Sequence, residues 1–139
     1  MEDCIFCKIV KGEIPSFKVY ENDQVFAFED INPISLGHTL IVPKKHAENL
    51  WEITSDDLSA IHLASQKIAR ALRKAIDAAG IACLQLNGRE VNQVVMHYHL
   101  HLIPRAQNDP DLPMTTWELK QGDMDKIKKA AEKIAENVR

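Results

Sequence analysis

The run His97-Tyr98-His99-Leu100-His101 sets three imidazoles at alternate positions. Imidazole is the side chain that can be neutral, nucleophilic and metal-binding near pH 7. On an extended strand successive side chains point to opposite faces. His97, His99 and His101 then share one face, each roughly 6–7 Å from the next along the backbone. The reverse face carries Met96, Tyr98, Leu100 and Leu102, an ordinary core face. A lone histidine on a strand is usually a surface or packing residue. Three on one face serve no need of sheet stability, and protonating them together is opposed by like-charge repulsion. Such a row is biased towards neutral imidazole, which suits a nucleophile and equally suits three ligands of one catalytic metal.

A second pattern opens the chain. Cys4 and Cys7 have the two-residue spacing of a zinc knuckle, and also that of a thiol redox pair. The redox reading asks for a strand leading into a helix, and no strand pattern precedes this pair. Metal ligation, with two ligands still to be found, is the stronger reading; free thiols on a short helix are the plainer one. Cys83 has no partner signal and reads as buried core. His62 sits in a helical pattern with no motif around it and reads as surface or helix–helix filler.

The elements that must position these groups are legible as periodicities. Cys4 to Lys11 reads as a helical turn closed by Gly12. Lys18 to Glu21 and Val25 to Phe28 read as strands joined at Asn22-Asp23 in a hairpin. Asp30 to Gly37 is a loop, because the residue before Pro33 avoids helical backbone. His38 to Val42 is a third strand. Thr54 to Ala79 is a long helix capped at Thr54, with Leu58, Ile61, Ser65, Ile68, Leu72, Ala75 and Ala79 on one face and Gly80 as its stop. Ile81 to Leu86 and Val94 to Ile103 are the fourth and fifth strands. Asp109 to Met114 is irregular, and Asp123 caps a last helix striped with Met124, Ile127, Ala131, Ile134 and Val138. A hairpin, a long helix and a further strand pair imply an α+β fold on an antiparallel sheet.

The 139 residues fit one domain, with about 106–139 as a C-terminal extension. A net charge of −3 argues against non-specific nucleic-acid binding, although one site can still be locally positive. No apolar run approaches the roughly 18 residues of a membrane helix. The acidic start, Met1-Glu2-Asp3, argues against a secretory signal. Three cysteines make a poor disulfide framework, so the cytoplasm is the expected compartment.

His-Tyr-His-Leu-His-Leu-Ile at 97–103 resembles the signature of the histidine-triad family. Cys4-Ile5-Phe6-Cys7-Lys8-Ile9-Val10 is similar to that family's opening. Gly37-His38-Thr39-Leu40-Ile41-Val42-Pro43-Lys44-Lys45-His46 is similar to its middle motif. Asn87-Gly88, Asn92-Gln93 and Ile103-Pro104-Arg105 flank the triad in the same way. The resemblance covers nearly the whole chain and is nearest to the bacterial and archaeal branch of histidine-triad hydrolases.

The resemblance implies a HIT-like fold, with a five-stranded antiparallel sheet, one long central helix and a C-terminal helix. It implies an enzyme that hydrolyses or transfers the nucleotidyl group of purine nucleotides such as AMP derivatives. His99 would be the nucleophile, forming a nucleotidyl-histidine. His101 would bind the phosphate, and His38 would be the accessory fourth histidine. Asn87 and Gln93 would contact the phosphate or bridging atom, Asp30 the ribose hydroxyls, and Phe6, Ile9, Phe28 and Ile31 the purine. It also implies a structural zinc held by Cys4, Cys7, His46 and His97. A homodimer is implied, with the long helix at its interface and the segment around Trp117 reaching the partner's site. One departure stands out: Val94 occupies a place where many members carry Ser or Thr, and Asn92 replaces a common Gly. A non-enzymatic nucleotide-binding module on the same fold is the alternative, and an intact triad speaks against it.

Overall fold

The computed structural model describes residues 3–138; Met1, Glu2 and Arg139 lie outside the described residues. The chain divides into two compact units, Met1–Asp109 and Pro110–Arg139. The order in the first is α1(Ile5–Val10), β1(Lys18–Glu21), β2(Val25–Glu29), β3(Thr39–Pro43), α2(Ser55–Ile76), β4(Gly80–Gln85) and β5(Leu100–Arg105). The second holds a single 3-10 turn at Pro113–Thr115 and α3(Met124–Asn137), whose cap is the Asp123 carboxylate. Among the described residues no helix is long and apolar enough to cross a membrane.

The strands form one five-stranded sheet in the order β1-β2-β3-β5-β4, antiparallel throughout. The expected α+β architecture is therefore the observed one. Alternation along the strands feeds two cores. Val25, Ala27, Ile41, Leu100 and Leu102 pack under α2 with Ile61, Ala64, Ile68 and Leu72. Phe26, Phe28, Leu40 and Val42 point the other way and pack on Phe6 and Ile9 of α1. The sheet is thus covered on one face by a long helix and on the other by a short one. The histidines share the α1 side.

Local chemistry explains most boundaries. The Asn22 side chain accepts the amides of Gln24 and Val25, both at 2.9 Å, and so closes the hairpin. Thr54 Oγ1 accepts the Asp57 amide at 3.1 Å and starts α2. The helix stops earlier than Gly80 suggests. Asp77 takes the left-handed conformation with φ 55°, which a short polar side chain tolerates, and Gly80 already belongs to β4. Ala75 and Ala79 are consequently exposed, and Ala60 and Ala64 join the packed face instead. Cys83, expected in the core, is exposed. β4 is an edge strand, and α2 packs on β2, β3 and β5 rather than over it.

The fifth strand differs most from expectation. It begins at Leu100, not Val94, and continues through Pro104 to Arg105. Residues before it are drawn into a loop in which Asn92 is left-handed at φ 68° and the buried Gln93 bonds to its surroundings. The Tyr98 amide donates to the Ala47 carbonyl at 2.7 Å instead of joining the ladder. The alternation of faces survives: Tyr98, Leu100 and Leu102 still enter the core beneath α2.

Gly37 sets the entry to β3. Its φ is 91°, and a Cβ there would lie 2.5 Å from the Ile76 Cδ1 and 3.2 Å from the Pro104 Cγ. The backbone conformation requires glycine, and the Ile76 side chain would have to shift to admit a Cβ. Gly37→Ala is expected to cost about 1–3 kcal/mol. Thermal denaturation checks this; an unchanged melting temperature contradicts it.

Candidate active site and candidate metal centre

His38 precedes β3, His101 lies within β5, and His99 immediately precedes β5. Because β3 and β5 are neighbours, with Leu40 opposite His101, the sheet brings these side chains together. The His99 and His101 rings are 4.9 Å apart between centroids, and those of His38 and His101 are 5.2 Å apart. They line a cavity of ≈ 560 Å³, within the range of small-molecule sites. Asp30, Phe6, Ile9, Phe28 and Ile31 line the same cavity, so eight of the residues singled out by sequence converge on it.

A main-chain group settles which ring nitrogen of His99 carries a proton. The His99 Nδ1 lies 2.7 Å from the His97 carbonyl oxygen. A carbonyl can only accept, so Nδ1 is the donor and Nε2 keeps its lone pair. His38 Nε2 lies 2.9 Å from His101 Nδ1 and 3.6 Å from Asp30 Oδ2. Burial holds His38 and His99 below the ordinary imidazole range, with Asp30 opposing the shift at both. At His101 burial, reinforced by His99 and His38, pushes the pKa down to about 4. The three rings are therefore neutral at pH 7. Phe6 closes the wall, with its ring edge-on to His99 at 5.1 Å and to Phe28 at 5.4 Å.

Asn87 and Gln93 do not line this cavity. Asn87 Oδ1 accepts the Leu50 amide at 2.7 Å, and its amide group exchanges two hydrogen bonds with Gln85. Gln93 accepts the Gly88 amide and donates to the Glu48 and Val95 carbonyls. Gln93 is 3 % exposed. Swinging the Gln93 side chain to a ligand would strand buried polar groups at about 1–3 kcal/mol each, whereas the Asn87 bonds are exposed or part-buried. In this structure they fasten the loop before β5 to the segment after β3. The exposed Val94 and the neighbouring Asn92 do line the cavity, as do Ile5, Val95 and Ile34, which sequence reasoning did not single out. Their apolar side chains carry no signal that separates a cavity wall from a core.

The four sequence-proposed metal ligands do come together. Cys4, Cys7, His46 and His97 form a cluster that could hold a metal ion. The His97 Nδ1 lies 3.4 Å from Cys4 Sγ, 3.5 Å from Cys7 Sγ and 3.2 Å from His46 Nδ1. Cys7 Sγ and His46 Nδ1 are 3.4 Å apart. Tetrahedral zinc–sulfur and zinc–nitrogen bonds of about 2.3 and 2.0 Å place ligand atoms about 3.3–3.8 Å from one another. The four separations given above match such a site. His97 Nε2 donates to the Pro43 carbonyl at 2.8 Å, which leaves Nδ1 with the lone pair that a metal needs.

Residues 11–108 match the family model described as the HIT domain. The chain is 42 % identical over 139 residues to a Candida albicans protein named adenosine 5′-monophosphoramidase, covering 97 % of this chain and 91 % of that one. In three dimensions it resembles a HIT family protein from Bacillus anthracis, with a TM-score of 0.90, 38 % identity and 99 % of each chain covered. It also resembles a zinc-bound histidine triad family protein from Mycobacterium smegmatis, with a TM-score of 0.75, 35 % identity and 78 % of each chain covered. Matches of this extent, on a sheet that assembles the triad just described, establish that the chain belongs to the HIT domain family.

Proposed function

We propose that the protein is a nucleotidyl hydrolase or transferase that works at the α-phosphate of purine nucleotides through His99. The observation that carries this reading is the hydrogen bond from His99 Nδ1 to the His97 carbonyl, which leaves Nε2 as a neutral lone-pair nitrogen on a residue that lines the cavity. Family membership and the activity named for the Candida albicans relative support it. In the first step His99 Nε2 bonds to phosphorus as the bond to the leaving group breaks, and the leaving group takes the electron pair. A carboxylate or phosphate leaves as it is; an amine collects a proton from water. The positive charge on His99 is met at Nδ1 by the His97 carbonyl. Water then attacks phosphorus, the Nε2–phosphorus bond breaks, and the nucleoside monophosphate and a proton are released.

In this reading His101 donates to a phosphate oxygen, with His38 behind it. Asp30 accepts from the ribose hydroxyls, while Phe6, Ile9, Phe28 and Ile31 enclose the purine. Asn87 and Gln93 serve from outside by holding the loop. Phosphoramidates, adenylylated groups and dinucleoside polyphosphates all offer the same α-phosphate. His99→Ala should lower turnover at least about 10³-fold while nucleotide binding persists. Quenching with radiolabelled substrate should leave the nucleotide on His99; label on His101 or His38 refutes the assignment.

Zinc is the metal we assign to Cys4, Cys7, His46 and His97, since two thiolates and two imidazoles suit it. Four protein ligands leave no open position, so its contribution is structural: it ties α1, and with it Phe6, to the residues before β5. Elemental analysis of untagged protein should find one zinc per chain, and finding none refutes the assignment. Cys4→Ser should lower the melting temperature and weaken metal binding yet spare part of the turnover, because His97 holds metal while His99 attacks phosphorus.

We further propose that the chain acts in the cytoplasm as a homodimer, joined through α2, with the segment around Trp117 reaching the partner's site. Trp117 is 72 % exposed in its own chain. Sedimentation at micromolar concentration should give a dimer, and a monomer refutes it.

A further inference from the structure

Two clusters of potential ligands occupy the α1 side of the sheet: Cys4, Cys7, His46 and His97, and then Asp30, His38 and His101. By side-chain type either could take a divalent cation. The main chain separates them. In the first, the Pro43 carbonyl removes the His97 proton to the far nitrogen and exposes a lone pair to the sulfurs. In the second, a main-chain amide does the reverse. The Ile34 N–H donates to His38 Nδ1 at 3.0 Å. A neutral His38 must therefore carry its proton on Nε2. That proton faces His101 Nδ1, 2.9 Å away, so His101 accepts there and carries its own proton on Nε2. A cation between the rings would need lone pairs on both His38 Nε2 and His101 Nδ1. His38 could supply one only as an imidazolate or by giving up the amide.

We propose that the main-chain amide of Ile34 is a positioning group that locks the protons of the His38–His101 pair, so that His101 presents an N–H at Nε2 to bound phosphate and the Asp30–His38–His101 cluster stays closed to divalent metal. The phosphate half of this statement rests on the function proposed above; the proton arrangement does not. The loop that carries the amide is tightly built. Its two ends meet where the Asp30 amide donates to the His38 carbonyl at 2.9 Å. Asp30 Oδ1 accepts the Asn32 amide at 2.8 Å, and the His38 amide donates to the Ser35 carbonyl at 3.1 Å. Ser35 Oγ donates to the Pro104 carbonyl at 2.6 Å, which fastens the loop to β5, the strand of His101 itself. Asp30 Oδ2, 3.6 Å from His38 Nε2, also favours a proton on that nitrogen.

The lock matters because of what else lines the cavity. Among the described lining residues there is no Lys or Arg, and the charged ones are Glu29 and Asp30. A phosphate must find its donors among imidazoles, amides and the Ser16 hydroxyl. His101 with its tautomer reversed would turn a lone pair towards an anion, and His101 bound to metal would be withdrawn from it. One amide hydrogen thus decides whether the ring attracts or repels the phosphate.

The test is nitrogen NMR of the zinc-loaded full chain with labelled histidine at pH 7. His38→Gln and His101→Gln provide the assignments. Both His38 and His101 should show a protonated Nε2 and an unprotonated Nδ1; a protonated Nδ1 on either overturns the proposal. Inorganic zinc is then titrated. The wild type, with its cysteine site filled, should leave both rings unshifted. Ile34→Pro, which lacks the amide hydrogen, should bind a further zinc in the cavity at least tenfold more tightly than the wild type. That uptake should vanish when His38→Gln is added. Ile34→Ala keeps the amide and should match the wild type. Zinc on the wild-type His38–His101 pair overturns the proposal, as does a folded Ile34→Pro with unchanged tautomers. If Ile34→Pro does not fold, the wild-type spectrum and titration still decide. A wild type with the expected tautomers but no turnover on any nucleotide would count against the proposed function and leave the lock standing.

Discussion

The hydrogen bond from His99 Nδ1 to the His97 carbonyl is the contact on which the site depends. His97 has two allegiances. Its ring points to Cys4, Cys7 and His46, with Nε2 anchored on the Pro43 carbonyl. Its main chain orients the ring two residues on. Anything that steadies His97 therefore steadies the nitrogen facing the cavity. The cysteines steady α1 as well, and Phe6 from that helix stands edge-on to both His97 and His99. A wall, the proposed nucleophile and a cluster that could hold a metal are thus arranged around one residue. Pairwise, each contact is worth about 1 kcal/mol; their shared member gives them joint control of geometry.

The shortness of β5 follows from the same arrangement. In a fully paired strand the His97 carbonyl would be consumed by a neighbour's amide, and the His99 ring would have to find another partner. By entering the ladder only at Leu100, the chain leaves that carbonyl for a side chain. The register is not lost, because the Tyr98 amide finds the Ala47 carbonyl and the Tyr98 ring stays in the core. Asn87 and Gln93 stand in for missing ladder bonds by joining the loop to the segment after β3. Asn87 and Gln93 replace regular structure here.

The sequence disclosed the fold class through period-two and period-3.6 patterns, because burial on two sheet faces and one helix face leaves that imprint. It disclosed His97, His99 and His101 and the Cys4–Cys7 pair because few other roles explain such residues at such spacing; His38 and His46 were legible only through the family resemblance. The strand start at Leu100 was hidden, since an alternating pattern persists whether or not the backbone is paired. Cys83 was misread because edge position depends on strand order, and β4 ends the sheet only after β5 inserts beside β3. The hydrogen bonds that Asn87 and Gln93 make within the chain were not legible, because residue type reveals bonding capacity and not the partner that uses it. The role of Ile34 left no trace, because a main-chain amide is the same whatever side chain it bears.

The exposure of Cys83 gives the molecule a handle. Of its three thiols, Cys4 and Cys7 belong to the metal-ligating cluster, while Cys83 lies on the edge strand away from it. A metal occupying that cluster would mask two sulfurs from alkylation and leave one open. A maleimide dye or nitroxide would then attach at a single address per chain. Partial burial raises the Cys83 thiol pKa, so the coupling runs faster in mildly alkaline buffer. A label fixed there would report on the sheet's open edge from the strand face opposite the cavity histidines, giving a spectroscopic ruler for association.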